Sequence, residues 1–398
     1  MVITLDSVQI VYNPPTEYRD NERDKPIDGL ALGAIGNLGL PELVFGAGNF
    51  SLQYNPEEHM TSDVPIRSIR LCMRYGIRAF DTSVYYGPSE IVLGGVLKAL
   101  KDEFPRDSYK LITKCGRYGL TPAEFDYSPS TIRRSVQRSL ERLNTTYLDI
   151  LYLHDVDMVA DEVMPKRDGD HSTALGEDRE AYGLALEQES KVWGEGDRKV
   201  LEAYGELKRM KEEGLVKNIG ITGYPLPTLL RLALLIRQTY GPMDVLMSFC
   251  HLTIQNDTFT PFVKELTERA GVGQLLTASP LCMGLLAPNP PEWSPAPARL
   301  KSAASEALNI CSSWNGGLSN IALGFAYRNA RHLGIPTAVG IGSLEQVHET
   351  VRVWREIASD DSSREREAYE DRVLRVFDAS GYRNYSWPCP PTKVYSSG

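Results

Sequence analysis

Little in this 398-residue chain points to a metal, a membrane or a nucleic acid. Its six cysteines, Cys72, Cys115, Cys250, Cys282, Cys311 and Cys389, show neither CxxC pairs nor Cys/His spacing. They offer no zinc ligand set and no disulfide framework, and are expected to be free thiols. No run approaches the ~20 apolar residues of a membrane span. The stretch 1–5 lacks the charged start and long apolar core of a signal peptide, so the expected setting is the cytoplasm, without a membrane partner. Positive charge is scarce: 43 Lys and Arg against 52 Asp and Glu give a net charge of -9 at pH 7, which argues against a nucleic-acid surface.

What is present is 42% hydrophobic residue content with regular punctuation, enough for a sizeable core. The length allows two domains, yet an α/β barrel often exceeds ~250 residues as one. The stretch around which the rest is organised is 80–90, Phe-Asp-Thr-Ser-Val-Tyr-Tyr-Gly-Pro-Ser-Glu. An apolar run, 77–80, leads into it; Gly87-Pro88 breaks regular structure, and Ser89 can cap the apolar run that follows. In a parallel α/β protein the loops leaving the C-terminal strand ends carry the chemistry, which places Asp81 and Tyr86 on a common cleft.

A tyrosine that exchanges a proton near neutral pH needs a nearby cation, since its unperturbed pKa is about 10. The next strand, over 111–113, ends at Lys114, and the one after it, over 147–153, ends at His154. Taken singly, a strand-end Asp is more often a cap, a Lys a solvated cation and a His a satisfied polar group. On three successive strand ends they form a proton-transfer set. Cys115 beside Lys114 has two readings, buried packing or a thiol that the neighbouring cation activates.

On 81–90 the sequence resembles the aldo-keto reductases, nicotinamide-dependent enzymes built on a (β/α)8 barrel. The family's Asp-Thr-Ala-x-x-Tyr-Gly-x-Ser-Glu pattern is met with only Ser83 differing, and matching segments continue to about Thr350. The stretches 246–251 and 279–286 look most like a sugar-oxidising branch acting on sugars such as D-arabinose and L-galactose. The resemblance implies a catalytic tetrad of Asp81, Tyr86, Lys114 and His154. Tyr86 would take the proton of an aldose C1 hydroxyl, Lys114 would lower the Tyr86 pKa, Asp81 would hold Lys114, and His154 would orient the oxygen. Where the family has a Ser-Asn pair and a Gln for the nicotinamide, this chain has Thr222, Gly223 and Ser248; His251 matches the stacking aromatic, and Ser279 and Leu281 match positions beside the pyrophosphate.

The segment 340–350 bears on coenzyme choice, with Gly340, Ile341, Gly342, Gln346, Glu349 and Thr350 expected at the adenosine end. NADPH-preferring relatives carry Lys or Arg here, because a 2′-phosphate needs paired cations. This segment has none and adds Glu345 and Glu349, so NAD is the expected cofactor, with NADP open should Arg331 or a long loop supply the charge. The implied activity is NAD-dependent oxidation of an aldose of the D-arabinose, L-galactose or L-fucose type to its lactone, by a monomer or homodimer. Two alternatives are an NADPH-dependent aldehyde or ketone reductase, and a nicotinamide-binding regulatory subunit using 155–197 to dock a partner.

Along the chain, 1–40 reads as an N-terminal extension closing the barrel bottom and 41–360 as the (β/α)8 barrel. Strands are expected at 43–50, 77–80, 111–113, 147–153, 216–222, 243–248, 274–279 and 336–341, with at least one helix between each and the next; such alternation implies a parallel sheet, and eight repeats a closed barrel. Segment 155–197 reads as a flexible, solvated acidic insertion, far longer than a usual βα loop. The remainder, 361–398, is a charged helix and an aromatic, Pro-rich tail. Tyr385 or Trp387 there would either line the substrate pocket, as the resemblance implies, or pack on the barrel wall.

Overall fold

The computed structural model describes residues 12–15, 20–359 and 364–388. Cys389 and the end of the aromatic tail lie outside the described residues, as do parts of 1–40. Eight parallel strands form the sheet: β1 Leu43–Gly46, β2 Ala79–Asp81, β3 Lys110–Cys115, β4 Leu148–Leu153, β5 Val216–Gly223, β6 Val245–Phe249, β7 Gln274–Ala278 and β8 Thr337–Gly340. They follow one another in chain order, and β8 pairs with both β7 and β1, which closes the barrel.

Every strand is buried on both faces, so the sequence shows apolar runs rather than polar alternation. Side chains of period two still sort by direction. Val44, Ala79, Ile112, Ile150, Val245 and Leu276 fill the barrel. Their neighbours Leu43, Phe45, Phe80, Leu111, Leu151 and Leu275 join the layer of helices outside. A short antiparallel hairpin, Ala34–Ile35 with Leu40–Pro41, precedes β1, and its Leu38 and Leu40 join the interior cluster at the N-terminal mouth.

Around the sheet stand α1 Val64–Tyr75, α2 Ser89–Ala99, α3 Pro129–Arg142, α4 Glu195–Glu212, α5 Leu226–Tyr240, α6 Phe259–Lys264, α7 Ala298–Ile310, α8 Gly317–Leu333 and α9 Leu344–Ala358. In α1 Ile66, Ile69 and Met73 form one buried stripe. The approach of α2 to α3 requires Gly94, where an added Cβ would stand 2.0 Å from Arg142 O. Ser89 is not the cap the sequence suggests: Pro88 is the N-cap. The Ser89 hydroxyl instead donates to Ala47 O (2.7 Å) and lies 2.8 Å from Thr82 Oγ1, tying α2 to the loops after β1 and β2.

Segment 155–197 departs from its expected solvated state. Ala174, Tyr182 and Leu184 are fully buried and join the outer core. Its acidic character is met by arginines: Arg269 pairs with Glu189 (2.7 Å), and Arg231 on α5 makes two bonds to Asp197 (2.6 and 2.9 Å). Arg231 also donates to Asp161 O, and Asp161 and Asp197 each accept the other's backbone N–H, so the insertion is clasped near its two ends.

The C-terminal helix α10, Arg364–Ser380, packs on α7 and α8. Beyond it Ser386 pairs with Gly169 of the insertion, the Tyr385 hydroxyl donates to Asp168 (2.6 Å), and Trp387 stacks on Tyr224 (centroids 4.7 Å apart, planes 11° apart). Tyr385 and Trp387 thus pack on the wall, and the pocket-lining alternative falls.

Arg231 and Asp197 are 3% and 0% exposed, so removing one partner leaves a buried, uncompensated charge. Arg231→Met is expected to lower the free energy of unfolding by about 3–5 kcal/mol. Lys264→Met, which deletes an ion pair exposed by 78% and 69%, should cost less than ~1 kcal/mol. Urea denaturation followed by circular dichroism checks both, and equal effects would contradict the clasp.

Candidate active site

β2 ends at Asp81, after which Ser83 caps a single 3-10 turn, Val84–Tyr86, that carries Tyr86 back over the barrel mouth. Register sets Asp81 beside Ile112 and Lys114 beside Tyr152, so the ends of β2, β3 and β4 stand side by side. Lys114 Nζ donates to Asp81 Oδ1 (2.5 Å) and to Thr82 O (3.0 Å), and lies 5.0 Å from the centroid of the Tyr86 ring. The rings of Tyr86 and His154 meet edge to face at 5.9 Å. The four residues picked out at the strand ends therefore converge on one cleft.

Burial governs the charges in this cleft. It pushes the Tyr86 phenol above its ordinary value, and the Lys114 ammonium pulls the other way. Burial also raises the Asp81 carboxyl, opposed by Lys114. For Lys114 burial acts downward, but the Asp81 carboxylate and then Tyr86 outweigh it, so the ammonium stays protonated. His154 is held well below the ordinary imidazole value by burial, then by Lys114 and Arg117, and is neutral near pH 7. The set combines a phenol, a fixed cation beside it and a neutral imidazole, the parts needed to move one proton at one oxygen.

Next to Tyr86 stands a second group that the sequence reading passed over. Arg117 forms an ion pair with Asp155 and lies over the Tyr85 ring, 3.6 Å from its centroid. Arg117, Asp155, Tyr85 and Tyr54 all line the same cleft. Three had a signal, since Arg117 and Asp155 lie just beyond Lys114 and His154 and Tyr85 adjoins Tyr86. Tyr54 had none; it arrives on the loop after β1 and meets Trp293 edge to face at 5.2 Å across the mouth. Cys115 is inert: its thiol is buried, its Sγ faces Tyr152 O at 3.5 Å, and burial raises its pKa.

The catalytic cleft runs into a trough of about 590 Å³ through Asn49, Gln53, Tyr54, Ser279, Met283 and Gly340, which line both. Ser279, Leu281, Gly340, Gly342, Gln346, Glu349 and Thr350 line the trough as expected, and Thr222 lines the catalytic part. Three expected contacts are placed elsewhere. His251 is 1% exposed, with Nδ1 3.2 Å from Ser248 Oγ, Nε2 3.0 Å from Ser386 Oγ and its ring against Tyr224, so the tail encloses it. Ser248 is fully buried beside it. Ile341 packs its side chain into the outer core. From the end of β6 it is Phe249, the last residue of that strand, that lines the cleft.

The trough fits a nicotinamide dinucleotide. Gly340 and Gly342 add no side chain of their own to its lining, and Ser343 caps α9 at its edge with the hydroxyl accepting from Gln346 N (3.3 Å). A helix N-terminus there offers unpaired N–H groups to a phosphate. Among the described residues neither lysine nor arginine lines the trough, whereas Glu349 does, held by Asn320 (2.6 Å) and Arg352 (2.7 Å). Arg331, considered above as a source of charge, is instead paired with Glu42 at 2.6 Å.

Comparison with known proteins agrees with this geometry. The sequence profile of the Aldo/keto reductase family matches residues 42–370. L-galactose dehydrogenase of Arabidopsis thaliana is 33% identical over 364 residues, 90% of this chain and 97% of that protein. D-arabinose 1-dehydrogenase of Saccharomyces cerevisiae is 34% identical over 332 residues, 82% of this chain and 84% of that protein. A solved aldo-keto reductase in holo form from Bacillus halodurans, 21% identical, matches 86% of this chain and 95% of its own with a TM-score of 0.54, a likeness of fold alone. With the family profile spanning most of the chain and two such relatives above 30% identity, the protein belongs to the aldo/keto reductase family, which uses nicotinamide cofactors, and is an oxidoreductase.

Proposed function

We propose that this protein oxidises an aldose of the D-arabinose, L-galactose or L-fucose type at C1, giving the lactone, with NAD as coenzyme. The observation that carries the reading is the Lys114 ammonium, fixed between Asp81 and Thr82 O and set against the Tyr86 ring in a cleft shared with His154. Substrate class rests on the two sugar dehydrogenases to which the chain is similar. It also rests on the Arg117–Asp155 pair, which offers donors and acceptors to a polyol.

When bound, the coenzyme supplies a hydride acceptor for the C1 hydrogen. Tyr86 accepts the proton of the C1 hydroxyl as the carbon–oxygen double bond forms. Lys114 favours the phenolate by its charge, and Asp81 keeps Lys114 protonated and aimed. His154, uncharged, hydrogen-bonds the same oxygen. Asp81, Tyr86, Lys114 and His154 are the catalytic residues of this proposal. Ser279, Leu281, Gly340, Gly342, Gln346 and Thr350 would hold the coenzyme along the trough. Gln346 has committed its Oε1 to Gly342 N–H (2.7 Å), which leaves its amide nitrogen as donor.

Tyr86→Phe removes one hydroxyl and little packing. Turnover is expected to fall about 10²–10⁴-fold, with NAD affinity, read by quenching of protein fluorescence, unchanged; near wild-type turnover would remove Tyr86 from its role. Lys114→Met deletes the charge that opposes burial, so the Tyr86 pKa rises further. Since the proton acceptor is the deprotonated form, the residual rate should keep climbing to higher pH than in the wild type, and an unchanged pH–rate profile rules out Lys114 as the cation that sets it. Coenzyme choice follows from a trough lined by Glu349 and, among the described residues, by neither lysine nor arginine. For one accepted aldose, kcat/KM with NAD should exceed that with NADP by roughly tenfold or more, because a 2′-phosphate finds no cationic side chain among the described residues that line the trough; a ratio favouring NADP refutes the assignment.

A further inference from the structure

His154 is a neutral imidazole with two distinct nitrogens, and only a hydrogen on the nitrogen facing the substrate can donate to its oxygen. Ser83 stands on the other nitrogen: its Oγ lies 3.0 Å from His154 Nδ1. Fully buried, Ser83 already accepts the Tyr85 backbone N–H at 3.1 Å. Its own hydroxyl hydrogen has Nδ1 as the one acceptor within reach among the described residues. If Nδ1 carried the ring hydrogen, the serine hydrogen would be stranded in the core, which costs free energy. The far side of the ring points the same way. His154 Nε2 is 3.7 Å from Asp155 Oδ2, where a lone pair would face a carboxylate and an N–H is attracted to it.

We propose that Ser83 is a positioning residue that fixes His154 as the Nε2–H tautomer, so that the imidazole presents a donor to the substrate oxygen beside Tyr86. Resting on the dehydrogenase reading above, this explains why two polar groups meet one oxygen without competing. As the C1 hydroxyl gives its proton to Tyr86 it becomes a carbonyl, which accepts hydrogen bonds and cannot donate them. An Nε2–H can follow that change, whereas an Nε2 lone pair would compete with Tyr86 for the proton and then face the carbonyl oxygen.

The test is a long-range proton–nitrogen correlation spectrum of protein labelled with 15N-histidine, the His154 signals being assigned by their loss in His154→Gln. The wild type is expected to show the Nε2–H pattern, and Ser83→Ala a shift toward Nδ1–H. With L-galactose and NAD, Ser83→Ala should lower kcat on the order of tenfold, the effect of one lost hydrogen bond. KM for NAD should stay unchanged and Ser83→Thr should restore the rate. In the His154→Gln background, Ser83→Ala should add no further loss. A wild-type spectrum with Nδ1–H, or one that Ser83→Ala leaves unaltered, overturns the proposal, as does an equal loss in the His154→Gln background. Should Ser83→Ala fail to fold, the wild-type spectrum alone decides. If no aldose is oxidised the proposed function fails, while the spectrum still judges the tautomer.

Discussion

The rest of the site depends on one buried ion pair, Asp81 with Lys114, at the mouth of the barrel. Both side chains are nearly inaccessible, at 7% and 3% exposure, so neither charge is tolerable without the other. The pairing of β2 with β3 and the bond from Lys114 to Thr82 O hold the ammonium in one place. A fixed cation then acts on its neighbours in two senses: it opposes the burial that raises the Tyr86 phenol, and it helps to keep the His154 imidazole uncharged. One charge thereby sets apart the protonation of two groups whose rings meet edge to face.

The barrel was legible because each strand is an apolar run with a punctuated helix after it, and a closed parallel sheet needs little more. Asp81, Lys114 and His154 were legible because strand ends are fixed by register. Residues that reach the cleft from irregular segments were not. Tyr54 sits on a loop that meets Trp293, far along the chain. His251 shows the converse. Its match to the family's stacking aromatic suggested contact with the coenzyme, but the tail places Ser386 on its ring, and no local pattern announces a contact 135 residues away.

Segment 155–197 misled for a related reason. Its acidic composition reads as solvated when its partners are out of view, and those partners, Arg231 and Arg269, come from later elements. Composition is a sum over a segment, whereas burial is decided pair by pair: Asp197 is fully buried yet bonded on every side by Arg231, Asp161 and Trp193. The tail then pairs with the outer part of the same segment through Gly169 and Asp168, so two stretches that look dispensable in sequence support each other.

The clasp formed by Arg231, Asp161 and Asp197 has a topological consequence. By drawing the two ends of the insertion together, it lets β4 connect to α4 as though through a brief turn. Loop-closure entropy grows only slowly with length, so most of that cost is already met at the clasp. The insertion is in effect a side pouch closed at its neck and fastened to the outer core by Ala174, Tyr182 and Leu184, so that changes in its exposed parts need not reach the strand register that builds the site.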